Sequence, residues 1–311
     1  MLINGVSGDL ISIRDRGLLY GDGVFRTLKA GGGHALHWPL HYQKLQHDCA
    51  ALGITCPDFG RLSNELVSLL RDHPDAVFKI IVTRGQGMRG YAPAPLSPNS
   101  DETTSHSSKA SESDAQVAGY LPQTGERGVV SQRESLVYAA PTHFWDVSSL
   151  PAYPDSLIRE GVTLGLCTLR LSHQPRLAGI KHLNRLENVL AAAECTEVNE
   201  GLLLDVDGLL IEGVRSNVFL ISQGCLITPD LSRCGVAGVQ RDRVMHCARR
   251  VGMTVEVRDI GLEELRAADE VFLSNSVFGL WPVARFENIR WINFDGAARL
   301  RAALENGDVN G

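Results

Sequence analysis

The chain has 311 residues, 44% hydrophobic and 21% charged, with 30 Lys and Arg against 36 Asp and Glu for a formal net charge of -6. That is an ordinary, mildly acidic globular composition, long for one hydrophobic core and better divided into two domains. Basic residues are outnumbered and form no long block, no basic start leads into an apolar h-region, and no run nears about 18 apolar residues. A soluble, unexported, cytoplasmic protein is therefore expected, with neither a nucleic-acid surface nor a membrane span.

Seven cysteines, Cys49, Cys56, Cys167, Cys195, Cys225, Cys234 and Cys247, are scattered and never form a CxxC pair, which fits reduced thiols. Cys234, His246 and Cys247 lie near one another in sequence, but no second close-spaced pair completes a tetrahedral site, so no metal is expected.

In chain order, Leu10 to Ile13 alternates weakly as a strand, and Gly21-Asp22-Gly23 then marks a tight backbone path before Val24-Phe25. After the turn Gly31-Gly32-Gly33, Pro39 opens a helix through Gly53 that carries Lys44. A second amphipathic helix covers Arg61 to Leu70, and Ala76 to Val82 reads as a strand. It runs into Thr83-Arg84-Gly85-Gln86-Gly87-Met88-Arg89-Gly90-Tyr91, where glycines let the backbone approach a ligand. Arg84 and Arg89 could hold a carboxylate there or be solvated charges of a hairpin end.

From Ala92 to about Gln132 the composition turns to proline, then to Ser, Thr and acidic residues with few large apolar groups, which predicts disorder. Glu134 to Ala140 reads as a strand that would pair with Ala76 to Val82 if the insert is an enlarged hairpin connection. The expected division is a small α/β domain over 1–140 containing the insert at about 92–132, a linker over 141–154, and a larger domain over 155–311.

The second half opens with a strand, Val162 to Leu171. In Gly179 to Glu194 a lysine, Lys181, precedes Leu183, Leu186, Val189 and Leu190 at helical spacing. At the approach to a helix with a buried face, Lys181 would lose hydration and become a nucleophile or base, or it is a solvated charge at a helix start. Strands follow at Gly201 to Val206, Leu209 to Glu212, Asn217 to Ile221 and Cys225 to Thr228. Glu212 ends an otherwise apolar strand and could be no more than an edge-strand carboxylate. Gly235 to Gln240 opens the helix Arg241 to Val251, and free N–H groups at such a start suit a phosphate. A strand (Thr254 to Ile260), a helix (Leu262 to Ala268), a strand (Glu270 to Ser274) ending in Asn275-Ser276, and a helix near Ala297 to Glu305 complete the chain.

A lysine before a helix, a glutamate about thirty residues later, a glycine-loop helix start and Asn275-Ser276 together resemble the pyridoxal-phosphate enzymes of the D-amino-acid and branched-chain aminotransferase fold, fold type IV. Within them, AGIKHLNRLENVL, LRLSHQPRL, LLLDVDGLLIEGVRSNVFLI, RDRGLLYGDGVF and TRGQGMRGY are similar to the aminodeoxychorismate lyases. The resemblance covers nearly the whole chain outside the insert. It implies an α+β (α/β) fold of two domains, the larger with a barrel-like sheet, pyridoxal 5'-phosphate in the cleft between them, and a homodimer.

Carried over, Lys181 forms the Schiff base and shuttles protons, and Glu212 keeps the pyridine nitrogen protonated. Val239, Gln240, Ser276 and Asn275 form the phosphate cup. Lys44 stands where the family usually has an arginine on the phosphate and loses that residue's fork. Arg185 stands near the ring hydroxyl, and Arg84, Arg89 and Arg26 are candidates for substrate carboxylates. The implied reaction splits 4-amino-4-deoxychorismate into p-aminobenzoate and pyruvate, a step of folate biosynthesis. The competing expectations are a D-amino-acid or branched-chain aminotransferase, which Phe25 and the His-Leu-Asn-Arg-Leu after the lysine oppose, and a cofactor-binding protein without catalysis.

Overall fold

The computed structural model describes residues 1–87, 90–93 and 140–308. Its first half holds β1 (Leu2–Ile3), β2 (Val6–Ser7), α1 (Arg16–Tyr20), β3 (Gly23–Gly31), β4 (His34–Ala35), α2 (Trp38–Ala51), α3 (Phe59–Asp72), β5 (Ala76–Thr83) and β6 (Thr142–Ser149). The strands form a six-stranded antiparallel sheet in the order β2-β1-β6-β5-β3-β4. Helix α3 starts where the Asp58 side chain accepts from the Arg61 N–H, and its Leu62, Leu66 and Leu69 are buried against the sheet. Pro39 sits in the first turn of α2, where its missing N–H would have had no partner.

The stretch 141–154 was expected to be a linker, but most of it is β6, which pairs with β5 from Thr83↔Thr142 to Ala76↔Ser149. Burial explains the difference. Trp145 is 0% exposed, packs 5.5 Å from Trp38, and donates its indole N–H to Glu65 at 3.0 Å. His143 also reaches Glu65 at 3.0 Å, so the strand is clamped onto α3. Residues 84–141 thus connect two antiparallel neighbours, β5 and β6, with β6 in place of the expected partner strand. The strand expected at Glu134 to Ala140 and the disorder expected at about 92–132 lie almost entirely outside the described residues. Leu10 to Ile13 forms no strand, and Leu10 and Ile13 are exposed.

The second half holds α4 (Ser156–Arg159), β7 (Val162–Leu171), α5 (Leu186–Glu194), β8 (Glu200–Asp205), β9 (Leu210–Gly213), β10 (Asn217–Ser222), β11 (Cys225–Pro229), α6 (Val239–Arg250), β12 (Val255–Arg258), α7 (Leu262–Ala267), β13 (Glu270–Asn275), β14 (Gly279–Phe286), β15 (Ile289–Arg290) and α8 (Asp295–Asp308). The strands form a nine-stranded mixed sheet in the order β12-β11-β10-β13-β14-β7-β8-β9, with β15 on β14. Both sheets curl into half-barrels, the mixed α/β architecture expected. Strand β14, which the sequence reading passed over, lies between β13 and β7, and Trp281 and Val283 bury its inner face.

Candidate active site

Lys181 is positioned by its backbone rather than by a helix. It stands five residues before α5, in a segment that pairs with the start of β3: the Phe25 N–H donates to the Lys181 carbonyl at 2.9 Å and the Leu183 N–H to the Gly23 carbonyl at 2.9 Å. Ile180, 3% exposed, packs in the core of the first sheet with Val24 and Val82. On the other side Gly179, at φ 77°, exchanges backbone hydrogen bonds with the loop of the second sheet, donating to Gly235 at 2.9 Å and accepting from Ala237 at 3.0 Å. That positive φ suits glycine. Lys181 therefore sits in a connection of the second sheet, between β7 and β8, that reaches over to pair with the first.

The expected buried face of the following helix is the opposite of what the structure has. Leu186, Val189 and Leu190 are 68%, 61% and 52% exposed. Lys181 is instead dehydrated by the walls of a cavity of about 380 Å³ between the sheets, lined by Phe25, Arg26 and His41 from the first half and by Glu212, Ser216, Ser274 and the start of α6 from the second. Its amine lies 4.8 Å from the centre of the Phe25 ring. Burial, with Arg26 and Arg185 adding repulsion, lowers the Lys181 pKa from 10.5 to about 8, against the pull of Glu212 and Asp48.

Glu212, on β9, is 3% exposed, and burial raises its pKa. Arg185, the Val236 N–H at 2.8 Å, Lys181 and Asn188 oppose that rise. Arg185 lines the cavity, but its donors hold the lysine's own loop: Nε donates to the His182 carbonyl and Nη2 to the Ile180 carbonyl, each at 3.0 Å. The geometry makes Arg185 a brace for Lys181 at the wall where the resemblance sets it near a ring hydroxyl.

Val239 and Gln240 begin α6 at the cavity wall, as expected. Their N–H groups lie in the first turn, where an α-helix offers no acceptor of its own, and the N-cap Gly238 supplies no side-chain cap. A Cβ at Gly238 would meet Asn217 Oδ1 at 2.5 Å, so glycine is required for Asn217 to accept from the Gly238 N–H at 3.2 Å. Ser276 lines the same wall. Ser216 and Ser274 add two buried hydroxyls with no partner among the described residues, side chains the sequence does not single out. The VRSN segment after Glu212 was the available signal for the first. Asn275 reaches the cavity too, yet its Oδ1 accepts from Val277 and Phe278 at 2.9 Å and caps a turn.

The remaining candidates separate. Arg26 is 2% exposed, paired with Asp48, and at the cavity wall. Asp48 also accepts from the Lys181 N–H at 3.2 Å. Arg84 is not among the lining residues: Nε donates to Asp22 at 2.8 Å, and Nη1 and Nη2 donate to the Gly53 and Leu52 carbonyls at 2.7 Å. A guanidinium so engaged has no fork left for a substrate. Lys44 is also absent from the cavity wall: it pairs with Asp242 of α6 at 2.7 Å and, with Val239, lines a smaller neighbouring pocket. Arg89 lies outside the described residues. His41, 2% exposed, has its pKa lowered to about 3 by burial and by Arg26, so it is a neutral wall.

The family model of amino-transferase class IV matches residues 23–126 and 125–286. The aminodeoxychorismate lyase of Vibrio harveyi is 32% identical over 284 residues, 91% of this chain and 89% of that one. The crystal structure of 4-amino-4-deoxychorismate lyase from Pseudomonas aeruginosa superposes with a TM-score of 0.81 at 38% identity, covering 98% of each chain. A hypothetical aminotransferase from Mycobacterium tuberculosis in its PLP-bound form has a TM-score of 0.73 at 19% identity, covering 98% of this chain and 95% of that one.

Proposed function

The chain belongs to the amino-transferase class IV family, and from that premise we propose that it is a pyridoxal-phosphate-dependent lyase acting on 4-amino-4-deoxychorismate. The observation that carries the reading is the meeting of Lys181, Glu212 and the α6 start on one cavity. Each meets a different need of the cofactor. The uncapped helix start and the unpartnered Ser216 and Ser274 hydroxyls fit a phosphate, and the buried Glu212 carboxylate fits a protonated ring nitrogen. Lys181 offers an amine easily held neutral.

When bound, pyridoxal 5'-phosphate supplies an electrophilic carbon and a cationic ring that accepts an electron pair. The protein does the rest. Lys181 Nζ removes the proton from C4 of the substrate and holds it while the enolpyruvyl group leaves with the C–O electron pair. Arg185 and Asp48 keep the lysine's loop in register through the backbone of residues 180–182. Arg26 keeps a positive charge at the wall, suited to a substrate carboxylate, and together with burial favours the neutral amine. Phe25 and His41 limit water at the base without adding charge.

A homodimer fits the exposed leucines and valine of α1 and α5, Leu18, Leu19, Leu186, Val189 and Leu190, which leave an apolar face uncovered on one chain. Seven free cysteines suit a reducing cytoplasm, and no described helix is long and apolar enough to cross a membrane. The deciding experiment supplies enzymatically generated aminodeoxychorismate and measures p-aminobenzoate and pyruvate, with Lys181→Ala as control. Equal yields of both products, lost in the variant, are expected. Rapid pyruvate and glutamate from D-alanine and 2-oxoglutarate, with no p-aminobenzoate, would make it an aminotransferase instead.

A further inference from the structure

Outside the active cavity, three side chains from three segments converge: His173 after β7, Asp205 at the end of β8, and Cys234 in the loop between β11 and α6. One ligand atom of each lies within 4.8 Å of the others. His173 Nε2 is 2.9 Å from Asp205 Oδ2 and 4.0 Å from Asp207 Oδ2. Asp205 is 0% and Cys234 7% exposed, whereas the His173 ring reaches the surface and leaves an entry path. We propose that this cluster binds a zinc-type divalent metal ion through His173 Nε2, Asp205 Oδ2 and Cys234 Sγ.

The donor set argues for that class of ion. One imidazole, one carboxylate and one thiolate suit Zn²⁺, while Mg²⁺ and Ca²⁺ take oxygen ligands. Bonds of about 2.0–2.3 Å in a tetrahedron place donors roughly 3.3–3.6 Å apart, so the His173–Asp205 pair opens by about half an ångström and the sulfur moves in, within reach of side-chain rotation. Asp205 is held for this role, because its Oδ1 accepts from the Asp207 N–H at 3.0 Å and the Leu209 N–H at 2.9 Å, leaving Oδ2 for His173. Such outer contacts orient a ligand. The half-exposed chain of Asp207 or a water completes the shell. Arg233 opposes a cation, with Nε 3.9 Å from Asp205 Oδ2, but its guanidinium is anchored on Asp259. Asp205, Asp207, Asp230 and Asp259 leave the neighbourhood net negative.

The position gives the ion a structural task. Gln174 donates to the Arg233 carbonyl at 2.8 Å and Gly179 to Gly235 at 2.9 Å, so the loop that leads to Lys181 is already stitched to the loop whose Val236 N–H holds Glu212. A metal at His173 and Cys234 fastens the same two loops. His246 and Cys247, which follow Cys234 in sequence, take no part: His246 is exposed on α6 and Cys247 is buried in another core, so the partners of Cys234 come from distant segments.

The test titrates the full-length, cofactor-loaded protein, freed of metal by chelation, with Co²⁺. One equivalent per chain is expected, with a thiolate charge-transfer band and the visible bands of tetrahedral cobalt, both displaced by Zn²⁺. Cys234→Ser should abolish the charge-transfer band. His173→Ala, a milder change at a partly exposed residue, should weaken binding by at least about tenfold, with circular dichroism confirming the fold of each. At equal concentration Zn²⁺ should raise the Tm of the wild type by clearly more than that of either variant. No stoichiometric cobalt binding, or a charge-transfer band that survives Cys234→Ser and so belongs to another cysteine, would overturn the proposal.

Discussion

Lys181 carries a destabilising charge in the folded apo-protein, and the sign is testable. Its folded pKa of about 8 lies below the 10.5 of a free lysine, because burial disfavours the ammonium. The folded state is therefore penalised below pH 8, by on the order of 3 kcal/mol, and the penalty fades between pH 8 and 10.5. Lys181→Met should raise the Tm of apo-protein at pH 7, with a much smaller gain at pH 10.5; an equal gain at both would show that the lysine is not dehydrated. Ser216 and Ser274 make a complementary case. Their buried hydroxyls bond to nothing among the described residues, so Ser216→Ala and Ser274→Ala should leave apo stability within about 1 kcal/mol of the wild type or raise it. Each should weaken pyridoxal-phosphate affinity several-fold by equilibrium titration, and loss of stability without loss of affinity would place the phosphate elsewhere.

At the level of elements, Arg84, one of three arginines that were candidates for a substrate carboxylate, fastens helices to strands. Asp22, between α1 and β3, accepts from Arg16 at 2.8 Å and Arg84 at 2.8 Å, while Arg84 also closes the end of α2 through Leu52 and Gly53. Burial alone would raise the Asp22 pKa, but hydrogen bonds from Arg84 and Arg16 hold it below the usual carboxylate value. Arg84→Met leaves Asp22 and two carbonyls short of donors and should cost about 3 kcal/mol by denaturant titration, with KM changed less than threefold. A large KM effect on a stable variant would return Arg84 to the substrate. Helix α5 illustrates a limit of periodicity, since Leu186, Val189 and Leu190 repeat at helical spacing but face outward. An apolar stripe records that a face will be covered, not what covers it.

For the whole molecule, residues 84–141 join two strands that are already antiparallel neighbours, with Thr83 opposite Thr142. A shorter connection can close the same hairpin, because loop entropy changes slowly with length. Deleting Pro98 to Gln123 should leave lyase activity within a few-fold and Tm nearly unchanged; a collapse of activity would show that the segment belongs to the site. If two chains cover the α1 and α5 leucines, light scattering should give a dimer, and Leu186→Glu with Leu190→Glu should yield monomer with less activity.

Local pattern sufficed for most helices and strands, from α2 to α8, since burial of alternating or helically spaced apolar residues is read off neighbours in sequence. Local pattern left Lys181 and Glu212 open between a site and a solvated charge; the family resemblance singled them out with Val239 and Gln240, and the fold brings all four to one cavity. Tertiary structure alone decided that Arg26 reaches the cavity while Arg84 and Lys44 do not, that residues 142–149 are a sheet strand, and that Ser216 and Ser274 line the cavity with no partner among the described residues. The reason is physical. A long side chain goes to the nearest group that satisfies its charge, and Asp22 reaches Arg84 across 62 residues, as Asp242 reaches Lys44 from another sheet's helix. Sequence spacing does not encode those distances; the folding of two sheets around one cavity does.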